Sequence, residues 1–102
     1  KTDLLIRYGG EEFLILLQSV EPAASEAVAE KIRAAVDGHD FSLPSGASIH
    51  KTISIGVAEF PEDADVMYKA IKFADVALYE AKRGGRNRVV RFKPEMWTEE
   101  NY

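Results

Sequence analysis

Apolar residues alternate or recur at helical spacing along the chain, and they divide it into predicted strands and helices. Residues 4–8 and 13–17 are apolar runs on either side of Gly9-Gly10, a dipeptide typical of a tight hairpin turn. If the turn has two residues, Arg7 lies opposite Glu12 on the neighbouring strand. The pattern therefore predicts that the chain opens with a β-hairpin.

A helix is predicted next. Pro22 suits a first helical turn, apolar residues recur every three or four positions from Ala24 to Val36, and Gly38 supplies an end. Residues 40–48 contain turn-forming residues and predict an irregular segment. The helix has one apolar face and one polar face.

A strand with two different faces is predicted over residues 49–57. One face carries Ile49, Ile53, Ile55 and Val57, whereas the other is nearly bare and carries the small residues Thr52, Ser54, Gly56 and Ala58. Small side chains let a helix or a ligand approach the backbone closely, and a helix is the preferred partner.

The second predicted helix runs from Met67 to Ala81, with Asp63 or Asp65 as its N-terminal cap and Gly84-Gly85 as its end. Residues 88–92 predict a last strand. The order of elements predicts an α+β fold, with helices packed on one face of a mostly antiparallel sheet. Residues 1–92 form the predicted domain and residues 93–102 a polar C-terminal tail.

Composition narrows the classes of protein. The 102 residues are 46% hydrophobic and contain no cysteine, which fits one domain without disulfide bonds or thiolate sites. No apolar run approaches the roughly 20 residues needed to cross a bilayer, so no membrane contact is expected from this segment. We expect this segment to lie in the cytoplasm, whether or not the parent protein is anchored in a membrane.

The net charge of −4 conceals one basic segment. Residues 82–93 hold six basic and no acidic side chains, whereas residues 1–81 hold 7 basic and 14 acidic ones. A broad nucleic-acid surface needs many cationic contacts, so no nucleic-acid partner is expected. The pattern favours a small phosphorylated ligand.

Two groups of residues are candidates for chemistry. One of the two carboxylates at the glycine turn, Glu11 or Glu12, is able to hold Mg²⁺ together with phosphate oxygens, although a hairpin with an Arg7–Glu12 ion pair explains the same residues structurally. Asp75 and Lys82 lie two turns apart on one flank of the second predicted helix, and Lys82 with Arg86 at its end forms a cationic pair suited to a polyphosphate. Their favourable interaction with the helix dipole is an equally simple explanation. The two histidines receive no predicted role.

Four motifs together resemble the GGDEF domain of bacterial diguanylate cyclases, here with the variant signature GGEEF. The resemblance covers about residues 3–92, and its motifs stand in the family's order. They are Arg-Tyr-Gly-Gly-Glu-Glu-Phe at 7–13, Thr-Ile-Ser-Ile-Gly-Val at 52–57, Ala-Asp-Val-Ala-Leu-Tyr-Glu-Ala-Lys at 74–82 and Gly-Arg-Asn at 85–87.

The resemblance implies an adenylyl-cyclase-like palm related to the ferredoxin-like fold. It also implies that the family's first strand and preceding helices are missing from these residues. The implied activity is that of a nucleotidyltransferase, which condenses two GTP into cyclic di-GMP and releases pyrophosphate. Each domain holds one GTP, so the parent protein is expected to act as a homodimer, brought together by an upstream sensor or receiver domain.

The resemblance also implies roles for individual residues. Glu11 matches the metal-binding carboxylate, with Mg²⁺ or Mn²⁺ as cofactor, and Glu12 matches its acidic catalytic partner. Gly9 and Gly10 match the turn that admits the nucleotide, and Lys82 and Arg86 match the phosphate contacts. Asp3 and Lys31 match positions of a product-inhibition site for cyclic di-GMP, whose arginine would fall before Lys1.

The missing region implies a limit on activity. The family takes a further metal-binding aspartate and its guanine contacts from the segment before the hairpin, so the 102 residues alone are expected to be inactive. The alternative function is a degenerate GGDEF module that binds GTP or cyclic di-GMP as a regulatory or dimerisation element. A small RNA-binding module is disfavoured, because no paired exposed aromatic residues are evident on the sheet.

Overall fold

The computed structural model describes the backbone of residues 3–7 and 13–17, and residues 24–60 and 63–97 in full. Strand β1, Asp3–Arg7, pairs antiparallel with β2, Phe13–Leu17. Arg7 lies opposite Phe13, so five residues connect the strands. The predicted two-residue turn, with Arg7 opposite Glu12, is therefore wrong, because the strands pair in a register shifted by one residue.

Helix α1 spans Ala24–Asp37, which confirms the first predicted helix. The amide of Gly38 donates to the carbonyl of Ala34 and ends the helix where the sequence predicts. Ala29 is the residue of α1 that is fully buried, and most of the helix is half-buried or exposed.

A second antiparallel hairpin follows, formed by β3, Asp40–Ser42, and β4, Ser48–His50. Gly46 takes a φ of 92° in its turn, a value that favours glycine. This hairpin corrects two predictions, the irregular segment over 40–48 and the continuous strand over 49–57. The chain changes partner between β4, which pairs with β3, and β5, Ile55–Val57, which pairs elsewhere.

Strand β5 pairs parallel with β6, Val89–Arg91. The two ends of this pair are fixed by backbone hydrogen bonds, from Ile55 to Arg88 at 2.9 Å and from Phe92 to Val57 at 2.7 Å. The described strand pairs are thus two antiparallel and one parallel. The α+β class predicted from the sequence is confirmed.

Helix α2, Met67–Arg83, packs on the face of β5 that carries small residues. A Cβ added at Gly56 would overlap the carbonyl oxygen of Ala74 and the amide nitrogen of Leu78. The absence of a side chain at Gly56 therefore brings the helix against the strand, as predicted. The predicted aspartate cap is wrong, since the N-terminal cap is Val66, without a side-chain hydrogen bond.

Helix α1 lies against the opposite face of β5 and β6, which corrects the prediction that both helices share one face. Strand residues point alternately to the two sides, so Glu59 and Arg91 face away from α2. Ser25 of α1 donates a hydrogen bond to Glu59, and Arg91 pairs with Glu59 at 3.2 Å and with Asp63 at 3.1 Å. The hydrogen bond to Asp63 raises the pKa of Arg91 above its ordinary value.

Residues of the predicted tail reach the core. A short 3₁₀ helix, Pro94–Met96, carries Trp97 back to α2, where its ring meets Phe73 edge-on at 5.4 Å. Phe73 in turn stacks on Phe92 at 4.2 Å, next to the buried Val76 and Ala77. No helix among the described residues is long and apolar enough to cross a membrane.

Candidate functional site

The candidate phosphate contacts lie at the C-terminal end of α2. Lys82 belongs to the last turn of the helix and is half-buried. Together with Asp75, Leu78 and Tyr79 it lines an open depression of about 210 Å³. Asp75 and Lys82 therefore share one flank of α2, as their spacing of about two helical turns predicts.

The turn after α2 has an unusual backbone. Three consecutive residues have positive φ values, which are 123° at Gly85, 64° at Arg86 and 48° at Asn87. Glycine adopts this region freely, whereas arginine pays a conformational cost for it. The amide of Arg86 donates to the carbonyl of Ala81 at 2.9 Å, which folds the chain back over the helix end.

This backbone leaves the side chain of Arg86 exposed. Among residues 24–60 and 63–97, none forms an ion pair with its guanidinium within 4.0 Å. Its neighbour Arg83 instead contacts Glu80 at 3.1 Å along the helix. An exposed guanidinium that follows a half-buried lysine at the same end of α2 is chemically suited to phosphate oxygens, because arginine offers several donors in a fixed plane.

Asn87 anchors the same turn, and sequence reasoning missed this role. Its backbone N–H donates to Ser54 Oγ at 3.1 Å, and its side-chain Oδ1 accepts a hydrogen bond from Arg33 Nη1 at 2.7 Å. Its Nδ2 lies 3.5 Å from Asp37 Oδ2. The asparagine directly after Gly85-Arg86 was the available signal, because asparagine is among the few residues that tolerate a positive φ.

The signature residues Gly9, Gly10, Glu11 and Glu12 lie outside the described residues. The strands that flank them are described, and the pairing of Arg7 with Phe13 places all four within the five-residue connection. Their predicted roles, and the predicted proximity of Glu11 to Lys82 and Arg86, stay predictions.

The predicted product-inhibition residues are described in part. Asp3 begins β1 opposite Leu17, and its side chain lies outside the described residues. Lys31 is exposed on α1. Their role in product inhibition stays a prediction.

A metal site is not evident among the described residues, which contain no cluster of three or more histidine, cysteine, aspartate or glutamate side chains suited to a cation. The predicted Mg²⁺ ligand is Glu11, whose carboxylate is the ligand type that Mg²⁺ prefers. The fit of the site to Mg²⁺ therefore depends on the connection between β1 and β2.

The two histidines, which received no predicted role, make local contacts. His50 Nε2 bonds the backbone carbonyl of Asp37 and lies 2.9 Å from its Oδ1. The hydrogen bond to that carbonyl raises the pKa of His50, and the carboxylate adds to the effect. His39 meets Phe41 edge-on at 4.6 Å.

Comparison with known proteins gives a consistent result. A family model described as "Diguanylate cyclase, GGDEF domain" matches residues 1–88. Diguanylate cyclase A from Treponema denticola is 43% identical over 91 residues, which make up 89% of this chain and 24% of that protein. The chain thus spans about a quarter of the length of this curated relative.

Solved structures agree with the sequence matches. The GGDEF domain of PA1120 (YfiN or TpbB) from Pseudomonas aeruginosa has a TM-score of 0.82 at 33% identity, over 89% of this chain and 56% of that one. The active GGEEF domain of a diguanylate cyclase from Vibrio cholerae has a TM-score of 0.70 at 29% identity, over 91% and 58%. These neighbours confirm the predicted cyclase-like palm.

Proposed function

The chain belongs to the GGDEF domain family of diguanylate cyclases, and we propose that it forms the C-terminal part of a domain that condenses two GTP into cyclic di-GMP. One observation carries the proposal. In a chain with the GGEEF signature, the end of α2 presents a half-buried Lys82 and an exposed Arg86 held in a costly backbone conformation. Costly conformations of this kind concentrate at functional sites.

Lys82 and Arg86 bind the triphosphate of GTP in this proposal. Their positive charges offset the phosphate charges, and they orient the α-phosphate for attack by the 3′-hydroxyl of the second GTP. The 3′-oxygen bonds the α-phosphorus and releases its proton to solvent, while the bond from that phosphorus to the pyrophosphate oxygen breaks and pyrophosphate departs with its electrons. Two such steps close the cyclic dinucleotide.

Glu11 is the residue proposed to hold the divalent cation, Mg²⁺ or Mn²⁺, and Glu12 its acidic partner in the site. A bound cation would stabilise the negative charge that develops on the phosphate oxygens. Gly9 and Gly10 carry no side chains, and they are proposed to let the nucleotide approach.

The reaction needs two domains facing each other, since each binds one GTP. We therefore propose that the parent protein acts as a homodimer and that an upstream sensor or receiver domain controls the pairing. Asp3 and Lys31 are the proposed contacts to cyclic di-GMP in product inhibition.

The test is conversion of GTP to cyclic di-GMP by the full-length protein in the presence of Mg²⁺, followed by chromatography. We expect Glu11→Gln to abolish turnover, because it removes the charge of the cation ligand. Lys82→Met should lower kcat/KM about tenfold to a hundredfold, the effect of losing a hydrogen bond to a charged group. Lys93→Met, at an exposed lysine beyond β6, is the matched control and should leave turnover unchanged.

The outcomes separate the two candidate functions. Absence of turnover by a dimeric full-length protein that still binds GTP or cyclic di-GMP would replace the cyclase with a regulatory binding module. Residues 1–102 expressed alone are expected to show no measurable cyclase activity, and turnover by this segment would contradict that expectation.

A further inference from the structure

We propose that Asn87 and Arg33 are positioning residues, which act on the nucleotide only by fixing the backbone of Arg86 and thereby the direction in which its guanidinium leaves the turn. The inference rests on the proposed function, in which Arg86 contacts the triphosphate. Neither residue received a role from the sequence. The proposal rests on two adjacent residues. Arg86 has a positive φ, and the side chain of Asn87 forms hydrogen bonds, here called the asparagine clamp, that tie the turn to α1.

The surroundings of Arg86 hold its backbone in a disfavoured conformation. A φ of 64° is disfavoured for a residue with a long side chain, so the surroundings must impose it. On the N-terminal side, the amide of Arg86 bonds Ala81 of α2. On the C-terminal side, its carbonyl accepts a hydrogen bond from Arg88 Nε at 3.1 Å, and the chain enters β6. Asn87 joins these two anchors.

Asn87 ties the turn to two other parts of the fold. Asn87 is half-buried, and it is bonded through its backbone to Ser54 and through its side chain to Arg33 and Asp37. It therefore connects the turn to the segment before β5 and to the last two turns of α1. With Asn87 fixed in position, the φ and ψ angles of Arg86 have little freedom.

The guanidinium of Arg33 is already occupied and is not a candidate for direct phosphate contact. Its guanidinium forms a two-fold hydrogen bond with Glu30, at 2.9 and 2.7 Å, and lies 3.6 Å from a carboxylate oxygen of Asp37. Only 17% of the side chain is exposed. Two carboxylates already offset its charge, whereas Arg86 has no such pair among the described residues. Arg33 is built to hold Asn87, and Arg86 to meet a ligand.

The experiment measures binding of an α,β-methylene analogue of GTP, which cannot react, to the full-length protein with Mg²⁺. We expect Arg86→Gln to weaken binding about tenfold to a hundredfold. Arg33→Met and Asn87→Ala should each weaken it about threefold to tenfold, since the guanidinium remains but is less ordered. Arg83→Met removes an exposed arginine at the same helix end, and this matched control should stay within about twofold of wild type.

The double variant Arg33→Met/Arg86→Gln decides between positioning and general stabilisation. If Arg33 acts only through Arg86, the double variant binds the analogue as Arg86→Gln does, within about twofold. A merely structural role would make the two effects multiply. Thermal unfolding is followed in parallel, and if Arg33→Met does not fold, the same comparison is made with Asn87→Gly, which keeps the backbone freedom and removes the clamp.

The results distinguish this inference from the function on which it rests. Unchanged binding by Arg86→Gln would overturn the phosphate role of Arg86 and with it the inference. Weak binding by Arg86→Gln together with normal binding by the Arg33 and Asn87 variants would overturn the positioning role and leave the proposed function standing. Multiplying effects in the double variant would also overturn the positioning role.

Discussion

The two helices are attached to opposite faces of the β5–β6 pair by different physical means. Helix α2 packs through small apolar residues, with Ala77 and Ala81 fully buried and its backbone against Gly56. Helix α1 buries a single alanine, Ala29, and is also joined to this side of the molecule by side-chain hydrogen bonds, from Ser25 to Glu59 at one end and from Arg33 to Asn87 at the other.

The difference shows how the turn that carries Arg86 is fixed from two directions. Close packing sets where α2 ends, because a helix with its backbone against a strand has little room to shift. The clamp from α1 then sets the conformation of the residues that follow. Changes to α2 should therefore affect the whole fold, whereas changes to α1 should act more locally.

The largest effect is expected at the α2 contact. Gly56→Ala places a Cβ 2.8 Å from Leu78 Cα and in overlap with backbone atoms of α2, so the helix must move. We expect a loss of about 3 kcal/mol or more in the free energy of unfolding, measured by urea denaturation. Gly38→Ala at the end of α1 is the control, since its Cβ would meet only Ala34 O at 3.3 Å. A loss of less than 1 kcal/mol at Gly56 would contradict the packing argument.

The next effect tests the charged attachment on the other face. Arg91→Met removes the guanidinium that contacts both Glu59 and Asp63, whose side chains are only 6% and 15% exposed. Breaking a buried ion pair from one side costs about 3 kcal/mol, and the protection from hydrogen exchange should fall in α1 more than in α2. Asp65→Asn breaks an exposed pair with Lys69 and should cost less than about 0.5 kcal/mol. Equal loss of protection in both helices would remove the contrast between the two faces.

Sequence patterns predicted the apolar side of this comparison better than the polar side. Apolar periodicity gave the spans of α1 and α2, and the small residues around Gly56 gave the face that α2 covers. Both signals are local. Helical periodicity is read from residues three or four positions apart, and strand alternation from residues two positions apart.

The polar attachments were missed because they join residues far apart in the sequence. Asp63 was expected to cap α2, yet it accepts hydrogen bonds from the amide of Glu59 and from Arg91, 28 residues away. Arg33 and Asn87 are separated by 54 residues. Nothing in the local pattern distinguishes such charges from those of a solvated helix face.

The candidate site was predicted from the sequence by resemblance more than by pattern. Helical spacing predicted Asp75 and Lys82 on one flank of α2, and in the structure both line the same depression. The conformation of Arg86 was not predictable, because two residues with positive φ that are not glycine depend on contacts with α1 and on the segment before β5.

An intermediate effect is expected at the C-terminal aromatic contact. Trp97→Ala removes an edge-on contact with Phe73 from the α2 face, and the half-buried position limits the loss to about 2 kcal/mol, below the cost at a fully buried site. Tyr79→Ala, at an exposed tyrosine of α2, should lower the free energy of unfolding by less than about 0.5 kcal/mol. If Trp97→Ala is neutral in thermal unfolding, residues 93–102 act as a tail, and the domain boundary at residue 92 stands.

The smallest effect concerns pH and belongs to the α1 side alone. His50 contacts the backbone carbonyl and carboxylate of Asp37, and these contacts raise its pKa in the folded state above the ordinary 6.5. A raised pKa means that the contribution of His50 to stability is complete below pH 6.5 and is lost as the pH rises through the folded-state value. The difference in Tm between wild type and His50→Gln should therefore be positive at pH 5.5 and shrink as the pH rises through the folded-state pKa.

The size of this difference should be small, because about half of the His50 side chain is exposed to solvent. His39→Gln is the matched control, since His39 contacts Phe41 rather than a carboxylate, and the pH-dependent difference should persist in that background. A Tm difference that stays constant or grows as the pH rises would show that the Asp37 contact does not hold the end of α1. The charged attachment of α1 would then respond to pH no more than the apolar attachment of α2.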